Sequence, residues 1–136
     1  MYFFSPILAW IIAQSLKVII EFWKNKKLNI KRILDSGGMP SSHAALTVAL
    51  TTSLWRDFGA HDPKVGIAAV FTLVVLYDAT GVRRETGRQA EILNKLIDEV
   101  KSFKSISNVR LRVLLGHTPL QVLAGMILGV FIGYYM

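Results

Sequence analysis

Seven residues lying between two hydrophobic segments, Gly37-Gly38-Met39-Pro40-Ser41-Ser42-His43, are of the types that handle a phosphate. Two glycines permit positive φ and close backbone approach, so successive N–H groups can line one concavity. Pro40 and two serines then start a helix whose first-turn N–H groups offer an anion site. His43 stands at that helix mouth, where it can give or take a proton near neutral pH. Taken alone, the run is equally a loop with a serine N-cap and an incidental histidine. His117 stands just outside a second helix mouth, before Thr118-Pro119-Leu120-Gln121. Thr118 reads there as N-cap, Pro119 as the first helical residue and Gln121 as the third, a capping box. Phosphoryl transfer needs cations and N–H donors around charged oxygens, an in-line nucleophile, and a proton for the leaving oxygen. Two histidines can divide the last two tasks, one attacking as neutral imidazole and the other protonating the alkoxide. A carboxylate on the nucleophile's other ring nitrogen would fix its tautomer.

The elements that must position these groups are hydrophobic. The chain has 136 residues, 52% of them hydrophobic, with mean hydropathy +0.43, and the apolar residues come in blocks. That points to one integral membrane domain over residues 1–136. With no cysteine, disulfides and thiolate metal sites are excluded. The net charge of +7 sits mostly between the blocks, which suggests anionic headgroups or phosphates before nucleic acid. Asp35 and Asp78 are the only acids near the motifs, too few for Mg²⁺, so a metal-free, cofactor-free route is expected.

Four spans are expected. The first runs from about Tyr2 to Trp23 and lacks a charged n-region or a cleavage site, so a removed signal peptide is not expected. Lys17 in its second half reads as snorkelling toward the interface, paired with Glu21 one turn on. A basic loop, Lys24 to Met39, follows, with Lys31 and Arg32 nearest the Gly-Gly turn. The second span, about Ser41 to Phe58, carries Thr47 and Thr51, which should bond across to other helices or back to their own backbone. Asp62-Pro63 marks a turn, and His61 beside it reads as a surface residue. The third span, about Val65 to Val82, contains Asp78, a carboxylate that should have a partner or a task. Arg84 to Phe103 reads as an amphipathic surface helix through Leu93, Leu96, Ile97 and Val100. Arg84 and Arg88 near its start would welcome an anion between them. In the last span Gly125, Gly129 and Gly133 make two GxxxG steps, a face for a neighbour or a second copy.

With four spans, the first and third connections share a membrane side. They hold all Lys and Arg residues except Lys17, Arg56 and Lys64. By the positive-inside tendency that side is cytoplasmic, and it receives His43, His117, Asp78 and nearly every arginine.

These residues carry a resemblance. Pro40-Ser41-Ser42-His43 looks like the Pro-Ser-Gly-His motif of the type 2 phosphatidic acid phosphatase and vanadium-dependent haloperoxidase superfamily. Gly37–His43, Tyr77-Asp78-Ala79-Thr80-Gly81-Val82-Arg83-Arg84 and Leu115-Gly116-His117-Thr118-Pro119 together resemble the family named acid phosphatase/vanadium-dependent haloperoxidase-related, the divergent lipid-phosphatase family. The resemblance spans about Gly37 to the C-terminus. It implies His43 as general acid, Ser41 and Ser42 as phosphate-binding, and His117 as nucleophile. Departures accompany it. Ser42 stands where the superfamily has Gly. Leu111, flanked by Arg110 and Arg112, stands where it has Arg, and Gln121 where it has Asp. Lys24 and Lys31 only hint at its first basic motif. Asp78 is therefore expected to supply the missing carboxylate, and Arg83, Arg84 or Arg88 the missing guanidinium.

The resulting expectation is an all-α polytopic membrane protein, four spans plus a surface helix, in a bacterial-type plasma membrane. It would hydrolyse a phosphomonoester or diphosphate lipid through a phosphohistidine, holding the phosphate with Lys31, Arg32, Ser41, Ser42, Arg83, Arg84, Arg88, Arg110 and Arg112. A homodimer through the GxxxG face is expected, with the bilayer and a phosphorylated lipid as partners and no nucleic acid. The alternative is a non-catalytic module that binds anionic headgroups or a partner through the same basic pocket. A small anion transporter is the third reading.

Overall fold

The computed structural model describes residues 2–26, 38–101 and 116–136. Of the described elements all are helices: α1 Phe4–Asn25, α2 Ser42–Phe58, α3 Pro63–Thr80, α4 Val82–Lys101 and α5 Pro119–Tyr135. The sequence signals for the starts of α2 and α5 are local, and they hold; the turn at Asp62-Pro63 proves to be the start of α3. Ser41 caps α2, its side chain accepting from Ala44 N. Asp62 caps α3 by accepting from Lys64 N at 2.8 Å, with Pro63 in the first turn. Thr118 and Gln121 form the capping box of α5. α2 stops at Gly59, whose φ of 78° a side chain would resist. Gly81 alone separates α3 from α4.

The packing is inverted relative to a water-soluble bundle. Buried positions are mostly small: Ala9, Ala13, Ala45 and Ala49 gather with Ile132, and Ala44 and Ala79 with Val122. Large side chains such as Ile67, Leu73, Val74, Ile127 and Phe131 point outward. That distribution suits a lipid surround, where helices associate through close backbone approach and interhelical hydrogen bonds. Thr51 Oγ1 lies 2.9 Å from Thr72 Oγ1, Thr72 donates to Thr47 O at 3.1 Å, and Thr47 and Thr51 donate back to His43 O and Thr47 O. Both bonding modes foreseen for the threonines occur, with Thr72 as the partner on α3. Such bonds are worth on average about 0.6 kcal/mol each. His61 is exposed.

α2 is the central helix and packs against α1, α3 and α5, while among the described elements α4 packs only against α3. Among the described residues two runs are long and apolar enough to cross a membrane, Phe4–Trp23 and Pro63–Val100, the second continuing through α3 into α4. The four-span count is thus met only in part. α2 and α5 have 17 residues each, about 25 Å of helix against a hydrocarbon core of about 30 Å. In α2 the hydroxyls that knit the bundle also lower its hydropathy.

The glycine stripe of α5 is filled from within the chain. A Cβ at Gly125 would meet Ser41 O and Ala44 Cβ. One at Gly129 would lie 2.7 Å from Ala45 O, and one at Gly133 2.5 Å from Ala49 O. The neighbour seated on the GxxxG steps is α2, so that face does not meet a second copy.

Candidate functional site

Small residues on α1 bring the first group into place. Ser5, Ala9, Ala13 and Lys17 recur every four residues and are all buried, so they form one stripe. It ends at the first turn of α2. There Lys17 Nζ donates to Ser42 Oγ at 3.0 Å. Gly38, at φ +99°, lies over the lysine stem, whose Cγ and Cδ are 3.6 Å from where its Cβ would be. Lys17 is 4% exposed. It does not snorkel, because the stripe that carries it faces protein rather than the interface.

Two backbone bonds assemble the rest. Ser41 N donates to Gln121 O at 2.9 Å, which ties the start of α2 to the first turn of α5. His117 N donates to Ala79 O at 3.1 Å, which ties the residue before the α5 cap to the last turn of α3. Gly125, one turn below Gln121, lets the two helices close to backbone contact. As a result the His43 and His117 rings are 6.2 Å apart, centre to centre, inclined at 60°. His43 is half-buried and His117 is 2% exposed. The N-terminal ends of α2 and α5, each a partial positive charge, meet beside a buried ammonium. An anion is the ligand such a place suits.

The sequence-predicted residues fare differently. His43, His117, Ser41 and Ser42 come together. The Ser41 hydroxyl is engaged as a helix cap at 3.4 Å from Ala44 N, whereas Ser42 Oγ accepts from Lys17. Asp78 is half-buried on α3, next to the residue whose carbonyl holds His117 N. The nitrogen of His117 foreseen for a carboxylate, Nδ1, lies instead 3.2 Å from Gln121 Oε1. Arg88 is exposed on α4 and donates to Glu85 Oε1 at 2.9 Å. No described contact carries it to the histidines, since among the described elements α4 packs on α3 alone. Lys31, Arg32, Arg110 and Arg112 lie outside the described residues, as do the side chains of Arg83 and Arg84. Lys17 and Gln121 are the residues that sequence reasoning left out of the site. For Lys17 the signal was the four-residue repeat of small residues leading to it; for Gln121 it was its place in the capping box directly after His117.

With this geometry in view, the comparisons are specific. The Divergent PAP2 family matches residues 1–132. The chain belongs to the Divergent PAP2 family. A family relative, the uncharacterized membrane protein YuiD of Bacillus subtilis (strain 168), is 36% identical over 139 residues, covering 94% of this chain and 88% of that protein. No solved structure matches. A Divergent PAP2 chain with outward-facing apolar side chains is a membrane protein of a phosphatase-like family, and its described elements are all helices. Its match covers α1 as well as the motifs, so the helix bearing Lys17 belongs to the family domain and not to an appended anchor.

Proposed function

We propose that this Divergent PAP2 protein removes phosphate from a phosphorylated membrane lipid, a phosphomonoester or diphosphate, through a phosphohistidine. One observation carries the reading: two imidazoles 6.2 Å apart where two helix N-termini converge beside a buried lysine. In-line transfer places two imidazoles on opposite sides of one phosphoryl group, as neighbours that do not stack. His117 Nε2 attacks phosphorus, the bond to the lipid oxygen breaks, and His43 donates a proton to that oxygen. His43, now neutral, takes a proton from water as the water attacks phosphorus. The P–N bond breaks, and inorganic phosphate leaves with both imidazoles restored. Lys17, through Ser42 and directly, offsets the phosphoryl charge, and the α2 N-terminus adds its dipole. Asp78 balances the local positive charge from the α3 side. Lys31, Arg32, Arg83, Arg84, Arg110 and Arg112 are proposed as further phosphate contacts.

In the proposed topology α1, α2, α3 and α5 all cross the bilayer, with the histidines at headgroup depth on the basic, cytoplasmic face and α4 along the surface. The proposed homodimer uses a face other than the glycine stripe, which α2 occupies. Gln121 in place of a carboxylate favours the second reading, a non-catalytic module that binds anionic headgroups. Purified protein in detergent, given a panel of lipid phosphates, separates the two. Phosphate release that disappears in His117→Ala and is inhibited by vanadate supports the enzyme. Headgroup binding without turnover supports the module.

A further inference from the structure

We propose that Gln121 is the positioning residue of His117: its side-chain carbonyl holds the imidazole as the Nδ1–H tautomer and so leaves the lone pair on Nε2. The tautomer turns on which end of the Gln121 amide faces the histidine. Oxygen and nitrogen of an amide look alike in shape but not in bonding. Thr118 N, a donor, lies 3.0 Å from Oε1 as half of the capping box. A donor can face only the oxygen, so helix capping fixes the orientation of the amide. The same oxygen then lies 3.2 Å from His117 Nδ1. A bare lone pair on Nδ1 would oppose it; a proton there makes a hydrogen bond. The imidazole has little freedom to choose otherwise, because its backbone N–H is tied to Ala79 O and the residue is 2% exposed.

This arrangement differs from a carboxylate partner in one respect. Both accept from Nδ1–H and select the same tautomer. An aspartate or glutamate also attracts the proton of the imidazolium, whereas an amide carries no charge. Gln121 therefore orients the ring without adding a charge that would favour the imidazolium. The titratable groups around it are His43 on α2, Lys17 on α1 behind Ser42, and Asp78 on α3 beside Ala79. The tautomer assignment stands on geometry alone; its catalytic meaning rests on the phosphatase reading.

The test is nitrogen-15 NMR of histidine-labelled protein in detergent, with the His117 signals assigned by their loss in His117→Ala. The wild type should show a protonated Nδ1 and an unprotonated Nε2. Gln121→Glu preserves the capping box, so it should fold, and its carboxylate should move the His117 titration up by about 1–3 pH units. Thr118→Ala keeps the backbone N–H that orients the amide and should leave the tautomer unchanged. An Nε2–H ring in the wild type, or an unmoved titration in folded Gln121→Glu, would overturn the proposal. Absence of phosphatase activity would leave both NMR readouts intact, so the two failures are distinguishable. If turnover is present, Gln121→Glu should also shift the acidic limb of the rate profile to higher pH by the same amount.

Discussion

A lysine ammonium taken out of water is costly unless something compensates it, and Lys17 is nearly sealed between α1, Gly38 and Ser42. A residue kept there for stability and one kept there for an anion give opposite outcomes on neutralisation. Lys17→Met retains the length and packing of the stem. In the phosphatase reading it should leave thermal stability unchanged or raised, while kcat/KM falls about 10- to 100-fold, the scale of one charge-assisted hydrogen bond. A drop in stability with normal kcat/KM would make Lys17 structural. The histidine roles also separate by leaving group. His43→Ala should impair hydrolysis of a lipid alkyl phosphate far more than that of an aryl phosphate, whose leaving oxygen needs no proton. Equal losses on both substrates would remove His43 as the acid. Asp78→Asn should lose most turnover while the protein still folds; near-normal rates would take Asp78 out of the site.

At the scale of elements, the site exists because α5 and α2 approach to backbone contact. Close packing without side chains is what the three glycines provide, and lipid-exposed helices have little else to draw them together. Adding one methyl at Gly125 places it against Ser41 O and Ala44 Cβ, one turn from Gln121. Gly125→Ala should therefore cost about 1–3 kcal/mol, the usual penalty of overpacking, and reduce activity by more than the unfolded fraction explains. Gly129→Ala should destabilise similarly, and by the same argument it should leave the oligomeric state unaltered, as read by light scattering in detergent. A change from dimer to monomer in folded Gly129→Ala would restore the stripe to the dimer contact.

For the whole molecule, the open question of chemistry becomes one of sidedness. The chain has no cysteine, so single cysteines can be labelled without a background. In the proposed topology His61→Cys, between α2 and α3, and Lys95→Cys, on α4, lie on opposite faces. A membrane-impermeant thiol reagent added to intact cells should label the first and spare the second. Labelling of both, or of neither before lysis, would refute the four crossings. Sidedness also bears on the proposed function: a site at headgroup depth would admit a lipid whose tail stays in the bilayer, beside the exposed apolar surfaces of α3 and α5.

The starts of α2 and α5, the two histidines at helix mouths, and the glycine face of α5 were legible in the sequence, because each depends on groups within about four residues of one another. Ser41 and Thr118 cap the helices that their local spacing implied, and Asp62, read as part of a turn, caps α3. What lies across from each face was not legible. Periodicity shows that Gly125, Gly129 and Gly133 share a side, but only packing shows that α2, not a second copy, fills it. Lys17 looked like an interfacial charge because hydropathy counts its ammonium and not its neighbours; the tertiary fold turned it onto Ser42. Gln121 looked like a helix cap and is one, yet its oxygen meets His117 Nδ1 only because the loop before α5 is bonded back onto α3. Sequence set the chemistry each segment carries, since caps and faces are short-range; the meeting of those segments was decided by packing, which is long-range.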